Sequence, residues 1–314
     1  MHGREVLRRN VFHLIRAYKK STHRGVTCSV PIIKHFAMRT LFLPQHQSPS
    51  TLKGISVNLT SMAETNKAAV EVFEGDDLAV ALAKYVADLS NKFTSERGAF
   101  TVCLSGGSMM ENLRKLPEPP YLDSLEWSKW HVFWVDDRVV PKTREDSDYK
   151  LALDGFLCKV PIPMDNVHAI NETLSPEGAA DDYERRIKEL VDKNVITLSP
   201  TSGFPKFDLI LLGMGPDGHV ASLFPGRPQV QENKRWVTFI KDSPKPPPER
   251  ITLTFPVINA CAYAALVVTG KNEADAVQSA LGKSENLVKL PVAMVSPSEG
   301  ELKWFLDKDA ASKL

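Results

Sequence analysis

The sequence predicts an α/β fold: one doubly wound, mostly parallel sheet with helices on both faces, in the Rossmann-like manner. Three observations lead there. Several apolar runs, such as FDLILL at 207–212 and YAALVV at 263–268, are nearly continuous. Such runs suit strands buried on both faces better than strands with one wet face. Between them stand segments whose apolar residues recur every three or four positions, as in helices that cover such a sheet. The 314 residues, 43% apolar and 25% charged, are enough to bury the core this architecture needs.

AVEVF at 69–73 reads as the first strand. Leu78, Leu82, Tyr85, Val86, Leu89 and Phe93 then recur at helical spacing and define one buried helix face. AFTVCL (99–104) is a strand that runs into Ser105-Gly106-Gly107-Ser108 and a short helix. HVFWV (131–135) is a strand that ends in Asp136-Asp137-Arg138. A helix is expected over 147–157. Another is expected from Pro176 to about Val195, with Ser175 as its N-cap and Gly178 where a capping box has Glu. FDLILLG, WVTFI, ITLTF and YAALVV read as strands, 272–281 as a helix, VAMVS as a strand, and LKWFL as a strand or tail. KDSPKPPPER (241–250) is a stiff Pro-rich loop. With no internal repeat, residues 63–311 read as one domain.

The ends read as addresses. From residue 1 to residue 63 Glu5 is the one acid, against Arg4, Arg8, Arg9, Arg16, Lys19, Lys20, Arg24 and Arg39, with frequent Ser and Thr. That composition predicts a transit peptide or disordered segment over 1–62. Ser312-Lys313-Leu314 has the form of a peroxisomal targeting signal at 312–314. A net charge of +1 gives no general case for a nucleic-acid or membrane surface, and no apolar stretch nears the roughly 20 residues of a membrane span. Cys28, Cys103, Cys158 and Cys261 are scattered, with no CxxC and no zinc spacing, so a reduced, metal-free chain is expected.

Ligands of doubly wound sheets sit outside the carboxyl ends of strands, and three motifs fall there. Gly213 to Gly218 (GMGPDG) spells the GxGxxG of dinucleotide loops. The rest of that fingerprint is lacking. Pro216 interrupts the loop, and Pro225-Gly226 stop any helix after about two turns. Glu232 lies before the next strand and Asp242 too far along to hold a ribose. The glycines instead permit a sharp turn around His219, with Asp217 expected to cap a short helix beginning near it. A histidine held neutral at a helix N-terminus can take a proton from water. Ser105-Gly106-Gly107-Ser108 offers N–H groups and hydroxyls to an anion such as phosphate, but lacks the Gly-Lys-Ser/Thr of an ATP loop. Arg138, Lys241, Lys245, Arg250 and Lys271 are cations that would complete such a site. Asp136-Asp137-Arg138 places two repelling carboxylates beside a guanidinium.

Together these motifs resemble the 6-phosphogluconolactonases. The family's SGGS loop stands at 105–108 and its D-E-R-x-V-P at 136–141. Its S-x-Y is Ser147-Asp148-Tyr149. Its L-G-M-G-P-D-G-H-x-A-S-L-F-P-G stands at 212–226, and its P-x-R-I-T-L-T-x-P-V-x-N-A at 248–260. The resemblance covers about residues 69–295. Departures are Asp137 for the usual Glu, Met109-Met110 for Thr-Pro, Arg144 for a frequent His, and Glu273 for a lysine that Lys271 is expected to replace. The resemblance implies hydrolysis of 6-phospho-D-glucono-1,5-lactone in the oxidative pentose phosphate pathway, with no cofactor or metal. It implies that His219 activates water, Asp136 orients or balances charge, and Arg138 contacts substrate or oxyanion. Ser105, Gly106, Gly107, Ser108, Arg250, Lys241 and Lys271 would hold the phosphate. It also implies a plant member serving plastid and peroxisome, with the cytosol as a third place. The partners are then the phosphorylated lactone and import receptors, with no nucleic acid or membrane. The rival readings are an amino-sugar-phosphate isomerase/deaminase and a non-catalytic sugar-phosphate binder. The former typically has D-E-Y and GHIAFNEP where this chain has Asp136-Asp137-Arg138 and GHVASLFP.

Overall fold

The computed structural model describes residues 68–282 and 289–314. The expected transit segment, 1–62, lies outside them. Strands β1 (Ala69–Phe73), β2 (Phe100–Leu104), β3 (Trp130–Trp134), β7 (Leu209–Leu212), β10 (Tyr263–Val268) and β11 (Glu301–Asp307) form one six-stranded sheet. Its order is β1-β11-β10-β7-β2-β3, and every pairing is parallel. Period-2 alternation sends Leu209 and Leu211 to one face, and Ile210 and Leu212 to the other. On the first face α1 (Asp77–Arg97) and α2 (Asp148–Gly155) pack Leu82, Val86 and Ala152 against Val102, Val267 and Phe305. On the second, α3 (Pro176–Asp192) and α4 (Ala274–Leu281) pack Tyr183, Ile187 and Val277 against Cys103, Leu266 and Trp304.

Local signals fix the helix ends. Ser175 accepts a hydrogen bond from Gly178 N–H at 3.2 Å and caps α3. Gly98, at φ +75°, closes α1 by donating to Thr94 O. Tyr183 clamps α3 onto the sheet: its hydroxyl accepts from Trp134 N–H at 2.8 Å and donates to Trp134 O at 3.1 Å. At the amino end of β7, buried Asp208 accepts from Thr101 N–H, Thr101 Oγ1, Arg97 Nε and Arg97 Nη2 at 2.5–3.1 Å. One carboxylate thereby joins the last turn of α1, β2 and β7.

Two expectations need correction. WVTFI and ITLTF are not in the main sheet. As β8 (Val237–Ile240) and β9 (Arg250–Leu253) they join β4 (Asp136–Arg138) in an antiparallel sheet, ordered β4-β9-β8. ITLT alternates Thr with apolar residues, but β9 is buried along its whole length, so the alternation does not mark a solvated face. VAMVS is no strand: Pro291 opens a 3₁₀ turn, Pro291–Met294, while LKWFL supplies β11, inside the sheet between β1 and β10. A two-stranded ribbon, β5 (Thr197–Leu198) with β6 (Pro205–Lys206), completes the strands among the described residues. Among the described residues, Cys103 and Cys261 are buried thiols.

Chain direction across the main sheet diverges at its middle. From β2 the chain moves to β3 at one edge; from β7 it moves to β10 and then β11 on the other side. Neighbouring β2 and β7 therefore flank the switch point, where doubly wound sheets open a crevice at their carboxyl ends.

Candidate active site

A cleft of about 320 Å³ lies at that switch point, within the range of small-molecule sites. Ser105, Gly106, Gly107 and Ser108 line it after β2, as do Asp136 and Arg138 of β4, and Asp148 of α2. The loop after β7 adds Gly213, Gly215 and His219, and the Pro-rich loop adds Lys245 and Arg250. The two central loops are stitched together. Ser105 Oγ donates to Leu211 O at 3.0 Å and accepts from Gly213 N–H at 3.2 Å. That hydroxyl is buried and engaged. The cradle's offer to an anion thus comes from Ser108 and from the N–H groups of Gly107 and Ser108, which have no protein partner among the described residues. The helix that follows, Met109–Asn112, lasts one turn, so its dipole adds little.

His219 sits in a tight loop, not on the helix expected there. Gly215 N–H bonds His219 O at 3.1 Å, and Gly218 N–H bonds Gly215 O at 2.8 Å. Gly218 has φ +74°, and a Cβ on Gly215 would fall 2.2 Å from His219 Cε1. Asp217, expected as a helix cap, instead holds the ring: His219 Nδ1 lies 2.5 Å from Asp217 Oδ1. A carboxylate only accepts, so Nδ1 carries the hydrogen and Nε2 is left basic. Phe224 packs on the ring at 4.5 Å between centroids. Burial pulls the His219 pKa below its ordinary 6.5, partly offset by Asp217, so the imidazole is neutral near pH 7.

The acids and guanidiniums form a second layer. Asp136 accepts from Ser222 Oγ at 2.7 Å and lies 4.0 Å from Arg250 Nη1. It does not touch His219; the orienting contact belongs to Asp217. Asp137, fully enclosed, accepts the N–H of Arg138 at 2.8 Å, and burial, with the Asp136 charge adding, pushes it up to about 7. Arg138 gives Nη1 to Asp146 O and sets Nε against Asp148, while its Nη2 has no protein partner among the described residues. Arg250, 4% exposed, spends most of its donors on Pro247 O, Lys245 O, Pro246 O and Ser222 Oγ. It organises the Pro-rich loop, with about one N–H remaining for a ligand.

Two expected phosphate contacts stand elsewhere. Lys241 is drawn to Glu177 on α3 and lies over Phe239. Lys271 is exposed in the 3₁₀ turn Lys271–Glu273 and does not line the cleft, whereas Glu273 does. The lysine of the cleft is Lys245, 3.8 Å from Asp217. Among the described residues no group of three or more His, Cys, Asp or Glu is arranged to hold a metal ion.

The family model for glucosamine-6-phosphate isomerases/6-phosphogluconolactonase matches residues 74–304. The chain belongs to that family. The family includes "Probable 6-phosphogluconolactonase 4, chloroplastic" of Oryza sativa subsp. indica, 66% identical over 247 residues, which are 78% of this chain and 76% of that one. "6-phosphogluconolactonase 3, chloroplastic" of Arabidopsis thaliana is 59% identical over 260 residues, 82% of this chain and 79% of the relative. The crystal structure of 6-phosphogluconolactonase from Thermotoga maritima superposes with a TM-score of 0.65 at 28% identity, covering 77% of this chain and all of that one. The parallel sheet with its two helical layers is thus the family's fold.

Proposed function

We propose that the protein hydrolyses 6-phospho-D-glucono-1,5-lactone to 6-phosphogluconate, the lactone-opening step of the oxidative pentose phosphate pathway. The observation that carries this reading is the Asp217–His219 pair facing an anion cradle across one cleft. His219 Nε2 takes a proton from water as the water oxygen bonds to the lactone carbonyl carbon. The bond from that carbon to the ring oxygen then breaks, and the imidazolium returns the proton to the ring oxygen. Asp217 fixes the tautomer and balances the transient imidazolium. Arg138 Nη2 faces the charge that develops on the carbonyl oxygen. The cradle and Lys245 hold the phosphate, which positions the ring. None of these steps calls for a metal or cofactor.

The relatives' chloroplastic names and the acid-poor segment 1–62 support the plastid as destination. Ser312-Lys313-Leu314 adds the peroxisome; Leu314 is exposed. Fluorescent fusions at each end test both, and a purely cytosolic signal from both rejects them. The activity is tested by adding purified protein to fresh lactone and following acid release above the spontaneous rate. No acceleration, or ammonia release from glucosamine 6-phosphate instead, overturns the reading.

A further inference from the structure

One buried acid of the cleft has no part in the steps above. Asp148 opens α2 with its side chain 1% exposed. It faces Asp136, Asp137 and Arg138 from β4 and Arg250 from β9. The cradle facing it from β2 has no titratable side chain. Glu111, in the helical turn after the cradle, is exposed and paired with Arg114. Arg138 Nε lies 2.9 Å from Asp148 Oδ2 but off the hydrogen-bond line, and Asp148 Oδ1 has no hydrogen-bond partner among the described residues. Gly106 closes that side, where a Cβ would fall 1.7 Å from Oδ1. An ionised Asp148 would therefore carry an unsolvated, unbonded oxygen against the backbone meant to receive an anion.

The local charge points the same way. Three carboxyls (Asp136, Asp137, Asp148) stand against two guanidiniums (Arg138, Arg250). With all five ionised, the layer beneath the cradle is negative and repels a phosphate. Asp136 is hydrogen-bonded by Ser222, and Asp137 by the N–H of Arg138; Asp148, with one oxygen unbonded and the other off the Arg138 hydrogen-bond line, has the least support for a charge. Burial first, then the neighbouring carboxylates, hold its pKa well above the ordinary value. We propose that an anionic ligand occupies the cradle with Asp148 in its neutral form, so that loading the cleft and protonating Asp148 are one linked event. Neutral Asp148 leaves the Arg138 charge uncancelled for the ligand. Asp148 is thus a positioning residue that acts through Arg138. The lactonase reading supplies the identity of the ligand; the linkage itself needs only an anion.

The test is calorimetric titration with 6-phosphogluconate, the stable product, in buffers of different ionisation enthalpy from about pH 7.5 to 9.5. A phosphomonoester, with its second pKa near 6, keeps a fixed charge there. The wild type is expected to take up protons on binding, approaching about one per site at the alkaline end, with affinity falling up to about tenfold per pH unit. Asp148→Asn is expected to lose at least half of that uptake and to flatten the affinity profile, while Glu111→Gln, at an exposed acid outside the cleft lining, keeps both. Asp148→Ser serves if Asp148→Asn does not fold. Unchanged uptake in the Asp148 variants, or none in the wild type, overturns the proposal. Inorganic sulfate, which does not titrate in this range, is the second probe. Sulfate-linked uptake without 6-phosphogluconate binding sinks the lactonase reading and leaves the linkage standing; no uptake with either anion sinks the linkage.

Discussion

At the amino end of the sheet Asp208 is buried and accepts four hydrogen bonds, two of them from Arg97. At the carboxyl end Asp148 is equally buried, yet one of its oxygens accepts none and its arginine contact is misaligned. Burial opposes the charge of both. Only Asp208 is given the donors that make a buried carboxylate tolerable. The first end is built to hold helix to sheet. The second tolerates unmet polar groups where a ligand and a proton must come and go. Substitutions at the two ends should therefore separate turnover from stability.

The largest effect is expected at His219. His219→Ala should lower kcat by roughly 10²–10⁴-fold, corrected for spontaneous lactone opening, while thermal melting shifts little. The working form is the neutral imidazole, so wild-type kcat should be lost as pH falls through a pKa below 6.5. Near-normal turnover by folded His219→Ala would leave the glycine turn as architecture and make Asp136 the candidate base. Arg97→Ala is the mirror experiment. It strands buried Asp208 and should cost about 3–5 kcal/mol in denaturant unfolding, with activity per folded molecule retained. A turnover loss as large as the His219 one would break the division between the two ends.

A smaller effect separates geometry from chemistry. Gly215→Ala places a Cβ against the His219 ring and should lower kcat by about 10²-fold, the scale of an ångström's misplacement, at nearly unchanged melting temperature. If kcat survives, the ring's place is less demanding than the hydrogen bond to Asp217 implies. Smallest, Ser175→Ala removes the α3 cap, outside the cleft lining, and should cost about 1 kcal/mol of stability with kinetics untouched.

Much of this was legible in the sequence. The strands at 69–73, 100–104, 209–212 and 263–268 are runs whose period and composition admit little else. The Ser175 cap sits where its residue type is favoured. The cleft's main pieces were readable because they interrupt those strands with glycine, hydroxyl and charge. Asp217 was not read as the partner of His219, because Asp before a turn is equally a helix cap, and only coordinates distinguish the two. Lys241 and Lys271 were expected in the cleft on charge alone, and charge does not say which way a lysine leans. Glu177 on a distant helix claims the first, and the turn at 271–273 leaves Glu273 on the cleft wall. Asp148 falls at the unspecified position of the S-x-Y pattern, between Ser147 and Tyr149, and what sets it apart is the approach of Gly106 from 42 residues away.

The stitch made by the Ser105 hydroxyl spans 108 positions of chain. Cradle and base therefore come together only when β7 docks beside β2, after some hundred residues have been threaded through the edge strand β3, the antiparallel strand β4 and helices α2 and α3. A nascent or partly refolded chain with its helices formed still lacks a closed cleft. Catalysis is then a late event in assembly, and regained turnover reports that the middle of the sheet has zipped shut.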